Sequence, residues 1–235
     1  MTAMTHDSHE HDHGHDHGHE HGHGHGHGHG HGGGGGVLDW DEHYSSEERI
    51  WSGNPNHALV TELTGVVPGR ALDVGCGEGA DAIWLAQQGW EVTALDVSSV
   101  ALDRARAAAA EAGVEVTWVH AGLTEAGLPG GGFDLVSAFY PAIPGDVGDP
   151  LDTLLGLVAP GGTLLFVHHA DVDWTEARER GFDPDSYLQV EEVAAGIPGD
   201  WTVVASEKRD REISGGGGAQ HHVDQVVRAV RPSGS

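Results

Sequence analysis

Apolar positions along this chain fall into short continuous runs separated by amphipathic stretches. Residues 71–75 (ALDVG), 91–97 (EVTALDV), 114–120 (VEVTWVH), 133–139 (FDLVSAF) and 163–169 (TLLFVHH) have the near-continuous hydrophobicity of strands covered on both faces. Between them the spacing predicts helices. Residues 56–63 are helical, 80–89 form a helix closed by Gly89, and 100–112 form an Ala-rich helix with Ser98 or Ser99 as N-cap and Gly113 as stop. Residues 151–162 (LDTLLGLVAPGG) predict a helix followed by a turn.

Strands and helices alternate through most of the chain, which argues for a parallel sheet with helices on both faces. The end breaks that rule. Residues 201–209 and 221–231 are strand-like and joined by a Gly-rich stretch, 214–218, without an intervening helix. The predicted fold is therefore α/β, Rossmann-like and doubly wound: a mostly parallel seven-stranded sheet ending in an antiparallel hairpin.

Gly75, Gly77 and Gly79 are spaced G-x-G-x-G between the first strand and its helix. Glycines at such a turn let the backbone approach a ligand closely. A dinucleotide site favours G-x-G-x-x-G, and position 80 is alanine. Asp73 stands two residues before the first glycine, where it opposes a pyrophosphate and suits a cation. Asp96 ends the second strand, 19 residues after Gly77, in reach of a ribose diol. Arg104 is the next basic residue in the chain. A ligand with ribose, adenine and a positive centre but no phosphate is S-adenosyl-L-methionine.

LDVGCGEG, VTALDVS, FDLV and VAPGGTLL, in that order, resemble the successive motifs of class I S-adenosylmethionine-dependent methyltransferases. Residues 40–60 (WDEHYSSEERIWSGNPNHALV) are similar to the small-molecule branch that includes tellurite-resistance and thiopurine methyltransferases. The resemblance implies that Asp73 and the backbone at Gly75 and Gly77 hold the methionine end of the cofactor. It also implies that Asp96 binds the ribose hydroxyls, Val97 packs on the adenine, and Phe139 and Tyr140 border the sulfonium and the acceptor. Tyr140 is the candidate catalytic residue. Where the family carries an acid for the adenine amino group, this chain has Gly122.

Residues 37–66 form an N-terminal cap with two readings. Trp40, Tyr44 and Trp51 are core aromatics, or they fold over the cofactor as a lid and face the sulfonium with their rings. Arg49 in the same segment binds the cofactor or acceptor carboxylate, or makes a surface ion pair. His168 and His169 end the fifth strand, where open α/β sheets place ligands, and are either a base or structural. His221 and His222 read as structural. Cys76 reads as a small residue filling a tight turn, and as the single cysteine it excludes an internal disulfide.

Composition adds a second region. Residues 1–36 hold 13 of the 20 histidines, five acids and no Lys or Arg. So few apolar side chains predict disorder, with Gly32–Gly36 as a linker to the methyltransferase domain at 37–235. Alternating imidazoles at His11, His13, His15, His17, His19, His21, His23, His25, His27, His29 and His31 have the chemistry to share divalent Zn, Ni, Cu or Co, in a role separate from catalysis. Setting the five tail acids aside leaves 32 acids against 11 bases. That charge disfavours nucleic acid and anionic membrane as partners. It leaves a small-molecule methyl acceptor and divalent metal ions. No basic-then-apolar leader is visible at the N-terminus, so a cytoplasmic location is expected. Two functions follow: a methyltransferase acting on a small molecule by in-line displacement, or a metal buffer or metallochaperone on a weakly active domain.

Overall fold

The computed structural model describes residues 39–46, 51–179, 182–211 and 221–234. The elements run α1 (Trp40–Ser45), α2 (His57–Leu63), β1 (Arg70–Val74), α3 (Ala80–Gln87), β2 (Glu91–Asp96), α4 (Ser99–Ala112), β3 (Thr117–His120) and β4 (Phe133–Phe139). Then follow α5 (Pro150–Leu157), β5 (Val158–His169), α6 (Thr175–Glu179), a 3-10 turn (Pro184–Ser186), α7 (Val190–Gly196), β6 (Thr202–Asp210) and β7 (Val223–Val230).

The sheet has seven strands in the order β3-β2-β1-β4-β5-β7-β6. β1 to β5 pair in parallel, whereas β7 runs antiparallel to both β5 and β6. This is the expected doubly wound sheet with its closing hairpin. From β1 the chain winds to β2 and β3, then returns to place β4 on the other side. That reversal opens a crevice at the carboxyl ends of β1 and β4, where such sheets hold ligands.

Alternating strand residues divide the core between the two faces. Leu72, Val74, Val136, Ala138, Leu164 and Phe166 pack on one side with Leu154 of α5 and Val193 of α7. Ala71, Leu135, Leu165 and Val167 pack on the other with Leu59 of α2 and Leu85 of α3. Glu62 of α2 accepts from Arg209 of β6 and, at 2.9 Å, from Arg228 of β7, which ties the N-terminal helix to the hairpin.

Two strand boundaries differ from expectation. β3 starts at Thr117 because Gly113 and Val114 finish α4 instead: their N–H groups donate to Ala110 and Ala109 carbonyls at 3.2 and 3.1 Å. β5 starts five residues early, at Val158, which pairs with Phe133 before the register shifts across Pro160–Gly162. The helices α6 and α7 interrupt a stretch for which the periodicity predicted no element. The Gly-rich stretch 214–218 and the histidine segment lie outside the described residues. No helix among the described residues is long and apolar enough to cross a membrane.

Candidate functional site

The crevice holds a cavity of about 210 Å³, walled by the glycine loop, the end of β2, the cap and the end of β4. Asp73, Gly75, Gly77, Asp96, Val97, Phe139, Tyr140 and Trp51 all line it. Eight of the nine residues predicted for cofactor and acceptor thus meet in one place. The ninth, Arg49, lies outside the described residues, as do all the candidate metal-ligating histidines. Among the described residues, no group of three or more His, Cys, Asp or Glu is gathered to hold a metal ion.

Gly75, Gly77 and Gly79 are all in left-handed conformation, and at two of them a side chain would collide with a neighbour. Gly77 has φ +52°, and a Cβ there would stand 2.8 Å from the Tyr44 hydroxyl and 3.3 Å from Trp51 Nε1. Gly79 has φ +82°, and a Cβ would meet Ala105 and Trp118, each at 2.8 Å. Gly77 therefore lets the cap lie against the loop, and Gly79 lets the loop lie against α4.

Three buried carboxylates surround this end. Asp73 is 2 % exposed; it accepts from the Ala82 amide, and its Oδ2 has no hydrogen-bond partner. Burial, then the charges of Asp81 and Asp96, push its pKa well above the carboxylate range. Asp81, in the first turn of α3, accepts from Asn56 backbone N–H and Nδ2, both at 2.7 Å, yet burial still raises its pKa to about 6. Asp96 accepts from Gly77 N–H at 2.8 Å and Ser98 N–H at 2.9 Å; burial raises its pKa against these bonds. Sequence reasoning missed Asp81. Its signal was an acid at the start of an otherwise apolar helix, ADAIWLAQ.

The cap is anchored at two points. Asp41 of α1 accepts from the Ser98 hydroxyl at 2.7 Å, the Ser99 hydroxyl at 3.0 Å and Val100 N–H at 3.3 Å, which docks α1 on the start of α4. Glu78 accepts from Trp51 N–H at 3.1 Å and from Arg104 at 2.7 Å, while Arg104 donates to the Tyr44 carbonyl at 2.7 Å. Arg104 is thus brought to the loop from 25 residues beyond Gly79, but its charge is engaged by Glu78 and the cap. Trp51 Nε1 donates to the Tyr44 hydroxyl at 2.9 Å. Tyr44 is buried beneath, whereas Trp51 is 36 % exposed at the cavity rim. Tyr44 thus belongs to the core and also lines the cavity.

The opposite end is built from β4, β5 and the hairpin. Tyr140 sits just past β4 with φ +51°, a conformation that costs a side-chain-bearing residue about 1–3 kcal/mol and is kept where the surroundings enforce it. Its hydroxyl donates to Asp224 Oδ2 at 2.8 Å, and the Arg211 guanidinium stands 4.8 Å from its ring centroid. His169 and Arg211 line the cavity, and His168 is turned away from it. Burial pushes the His168 pKa down to about 4, and adjacent His169 pushes it the same way. Burial also raises the Cys76 thiol, which keeps it uncharged and inert, in keeping with a turn-filling role. Gly122 borders the cavity beside Val97; a Cβ there would sit 3.8 Å from Val97 Cγ1 and 3.4 Å from Glu125 Oε2.

Residues 71–162 match a family model described as a methyltransferase domain. An uncharacterized methyltransferase of Mycobacterium tuberculosis (strain ATCC 25618 / H37Rv) is 39% identical over 123 residues, covering 51% of this chain and 61% of that protein. The chain thus spans about three-fifths of the length of that relative. A structure from the conversion of a disulfide bond into a thioacetal group during echinomycin biosynthesis superposes with a TM-score of 0.66 at 24% identity, covering 83% of this chain and 93% of the other. Magnesium protoporphyrin IX methyltransferase from Synechocystis PCC 6803, with bound S-adenosylhomocysteine, superposes with a TM-score of 0.53 at 21% identity, covering 74% and 80%.

Proposed function

We propose that this chain, which has the fold of class I S-adenosylmethionine-dependent methyltransferases, moves a methyl group from S-adenosylmethionine to a small-molecule acceptor. The observation that carries this reading is the unpartnered, buried Oδ2 of Asp73 at the wall of a cavity bordered by two further buried carboxylates. Burying such groups is unfavourable unless a partner compensates them. A ligand with an ammonium and a sulfonium, and without phosphate, supplies that compensation.

Bound there, S-adenosylmethionine carries its methyl on a positively charged sulfur, so the chain's task is alignment and exclusion of water. Asp73 and the Gly75–Gly77 backbone hold the methionine end. Asp96 keeps lone pairs for the ribose diol beyond its two backbone bonds, and Val97 covers the adenine. Trp51 at the rim closes the cavity and offers a ring face to the sulfonium. Phe139 and Tyr140 form the border with the acceptor.

The finer reading is a small-molecule enzyme of the tellurite-resistance and thiopurine type, located in the cytoplasm, with neither nucleic acid nor membrane as partner. Its histidine segment, residues 1–36, binds divalent transition metals independently of catalysis. A metal buffer with a weakly active or inactive domain is the competing reading, and the buried Asp73, Asp81 and Asp96 at the cavity speak against it. Calorimetric titration of S-adenosylhomocysteine into the full chain, with NAD as control, tests the cofactor. Micromolar binding that NAD does not reproduce supports the proposal; absence of binding to the folded chain removes it.

A further inference from the structure

Beyond the glycine loop, the cavity ends on a cluster that cofactor binding does not use. His169, the last residue of β5, and Asp224 of β7 stand directly opposite each other in the antiparallel ladder. Asp224 is 4 % exposed, and its Oδ2 takes the Tyr140 hydroxyl. Its Oδ1 faces His169 Nδ1 at 3.5 Å, and these two buried atoms have no other hydrogen-bond partner. A separation of 3.5 Å is loose for a hydrogen bond, as catalytic pairs often are before a substrate closes the site.

The His169 ring stacks on Tyr140 with centroids 4.1 Å apart, and the His221 ring lies against it at 4.3 Å, tilted by 31°. Two rings cannot both lie that close to one face of a third without overlapping, so the imidazole is clamped between them. Both faces are then covered, and Nδ1 is turned to a buried carboxylate. The edge carrying Nε2 is what remains to line the cavity.

We propose that His169 is the base that takes the proton of the methyl acceptor, with Asp224 as its positioning residue, and that the acceptor is a thiol or a phenol. The inference rests on the methyltransferase reading above. Asp224 at Nδ1 fixes the neutral tautomer that leaves the Nε2 lone pair free to accept. As the acceptor's X–H pair forms the new bond to the methyl carbon, the carbon–sulfur pair stays on sulfur and the proton passes to Nε2. The imidazolium is held by Asp224 and afterwards releases its proton to water. Arg211, 4.8 Å from the Tyr140 centroid and also lining the cavity, favours the negative charge that builds on sulfur or oxygen. A histidine base suits the weakly acidic X–H of a thiol or a phenol, whereas amines attack through a lone pair and oxyanions have no proton to lose. His168, at 5.9 Å between centroids, and His221 also face this ring, and Arg211 Nε stands 4.0 Å from Asp224 Oδ2.

The test uses the full chain with S-adenosylmethionine and a probe set of aryl thiols, phenols, a primary amine, selenite and tellurite, followed by formation of S-adenosylhomocysteine. In parallel, nitrogen NMR reads the His169 tautomer, assigned by its loss in His169→Asn. The expected result is turnover of thiols or phenols, the active class identifying the acceptor atom. His169→Gln then lowers kcat roughly 100- to 10,000-fold with S-adenosylhomocysteine affinity unchanged, and the deficit shrinks as pH rises toward the acceptor's own ionisation. Asp224→Asn, which still accepts from Tyr140, lowers kcat and moves the His169 proton from Nδ1 to Nε2. Turnover of none of the thiols or phenols, turnover insensitive to His169→Gln, or a native ring protonated on Nε2 overturns the proposal while S-adenosylhomocysteine still binds. Failure of the native chain to bind S-adenosylhomocysteine overturns the cofactor reading as well, which separates the two.

Discussion

Gly77 donates its backbone N–H to Asp96 Oδ2 at 2.8 Å, so the glycine loop and the acid ending β2 are one structural piece. Asp96→Ala removes both the ribose acceptor and this brace. Hydrogen bonds to charged groups contribute about 1.5–3 kcal/mol, so S-adenosylhomocysteine affinity is expected to fall at least tenfold. Asp96→Asn, which keeps one carbonyl for Gly77 or the ribose, falls between the two. Calorimetry on the three proteins checks the order; equal affinities would detach the ribose from this acid.

Gly77→Ala tests the contact between loop and cap. The added methyl meets the Tyr44 hydroxyl at 2.8 Å in a backbone region that side chains avoid. A cost of about 1–3 kcal/mol in thermal stability is expected, with a loss of cofactor affinity because Trp51 is displaced from the rim. Gly79→Ala collides instead with Ala105 and Trp118, behind the loop. It is expected to lower stability similarly while perturbing Trp51 less. If near-rim tryptophan fluorescence responds equally to both substitutions, the cap does not rest on Gly77.

Asp73, Gly75, Gly77 and Asp96 sit beside strand ends, where local pattern points to the crevice, and the resemblance to the methyltransferase motifs adds Val97, Phe139 and Tyr140. The partners that tune them come from afar. Asp224 is 84 residues from the Tyr140 hydroxyl it accepts from, and Asn56 is 25 from Asp81. Pairing of that kind depends on strand order, which no local period encodes. For the same reason the sequence leaves His169 as either a base or structural, whereas the β5–β7 ladder sets it opposite a buried acid.

Gly122 marks the adenine side, where the resembling family has an acid. Its position beside Val97 leaves ordinary van der Waals space for a side chain. Gly122→Asn supplies an acceptor for the adenine amino group without a second charge beside Glu125. One added hydrogen bond contributes about 1 kcal/mol, so S-adenosylhomocysteine is expected to bind roughly fivefold more tightly. Unchanged or weaker binding would place the adenine elsewhere along the wall.

Protonation of the buried acids gives the cofactor site a predictable pH dependence. Asp81 has its pKa raised by burial to about 6 in the folded chain, against about 3.9 when unfolded. Its protonation therefore stabilises the fold fully below about pH 4, and this contribution is lost as pH rises through 6. Asp73 is raised by burial in the same direction. A cationic ligand reverses the preference, because it favours the ionised carboxylates. S-Adenosylmethionine affinity is expected to increase from pH 5 to pH 7, by up to about tenfold per unit for each proton released. S-Adenosylhomocysteine lacks the sulfonium charge and should gain less. Asp81→Asn should flatten both curves and reduce the protons released on binding, measured by calorimetry in buffers of different ionisation enthalpy. An affinity that is flat or falls with rising pH would mean that these carboxylates do not face the cofactor's positive charge.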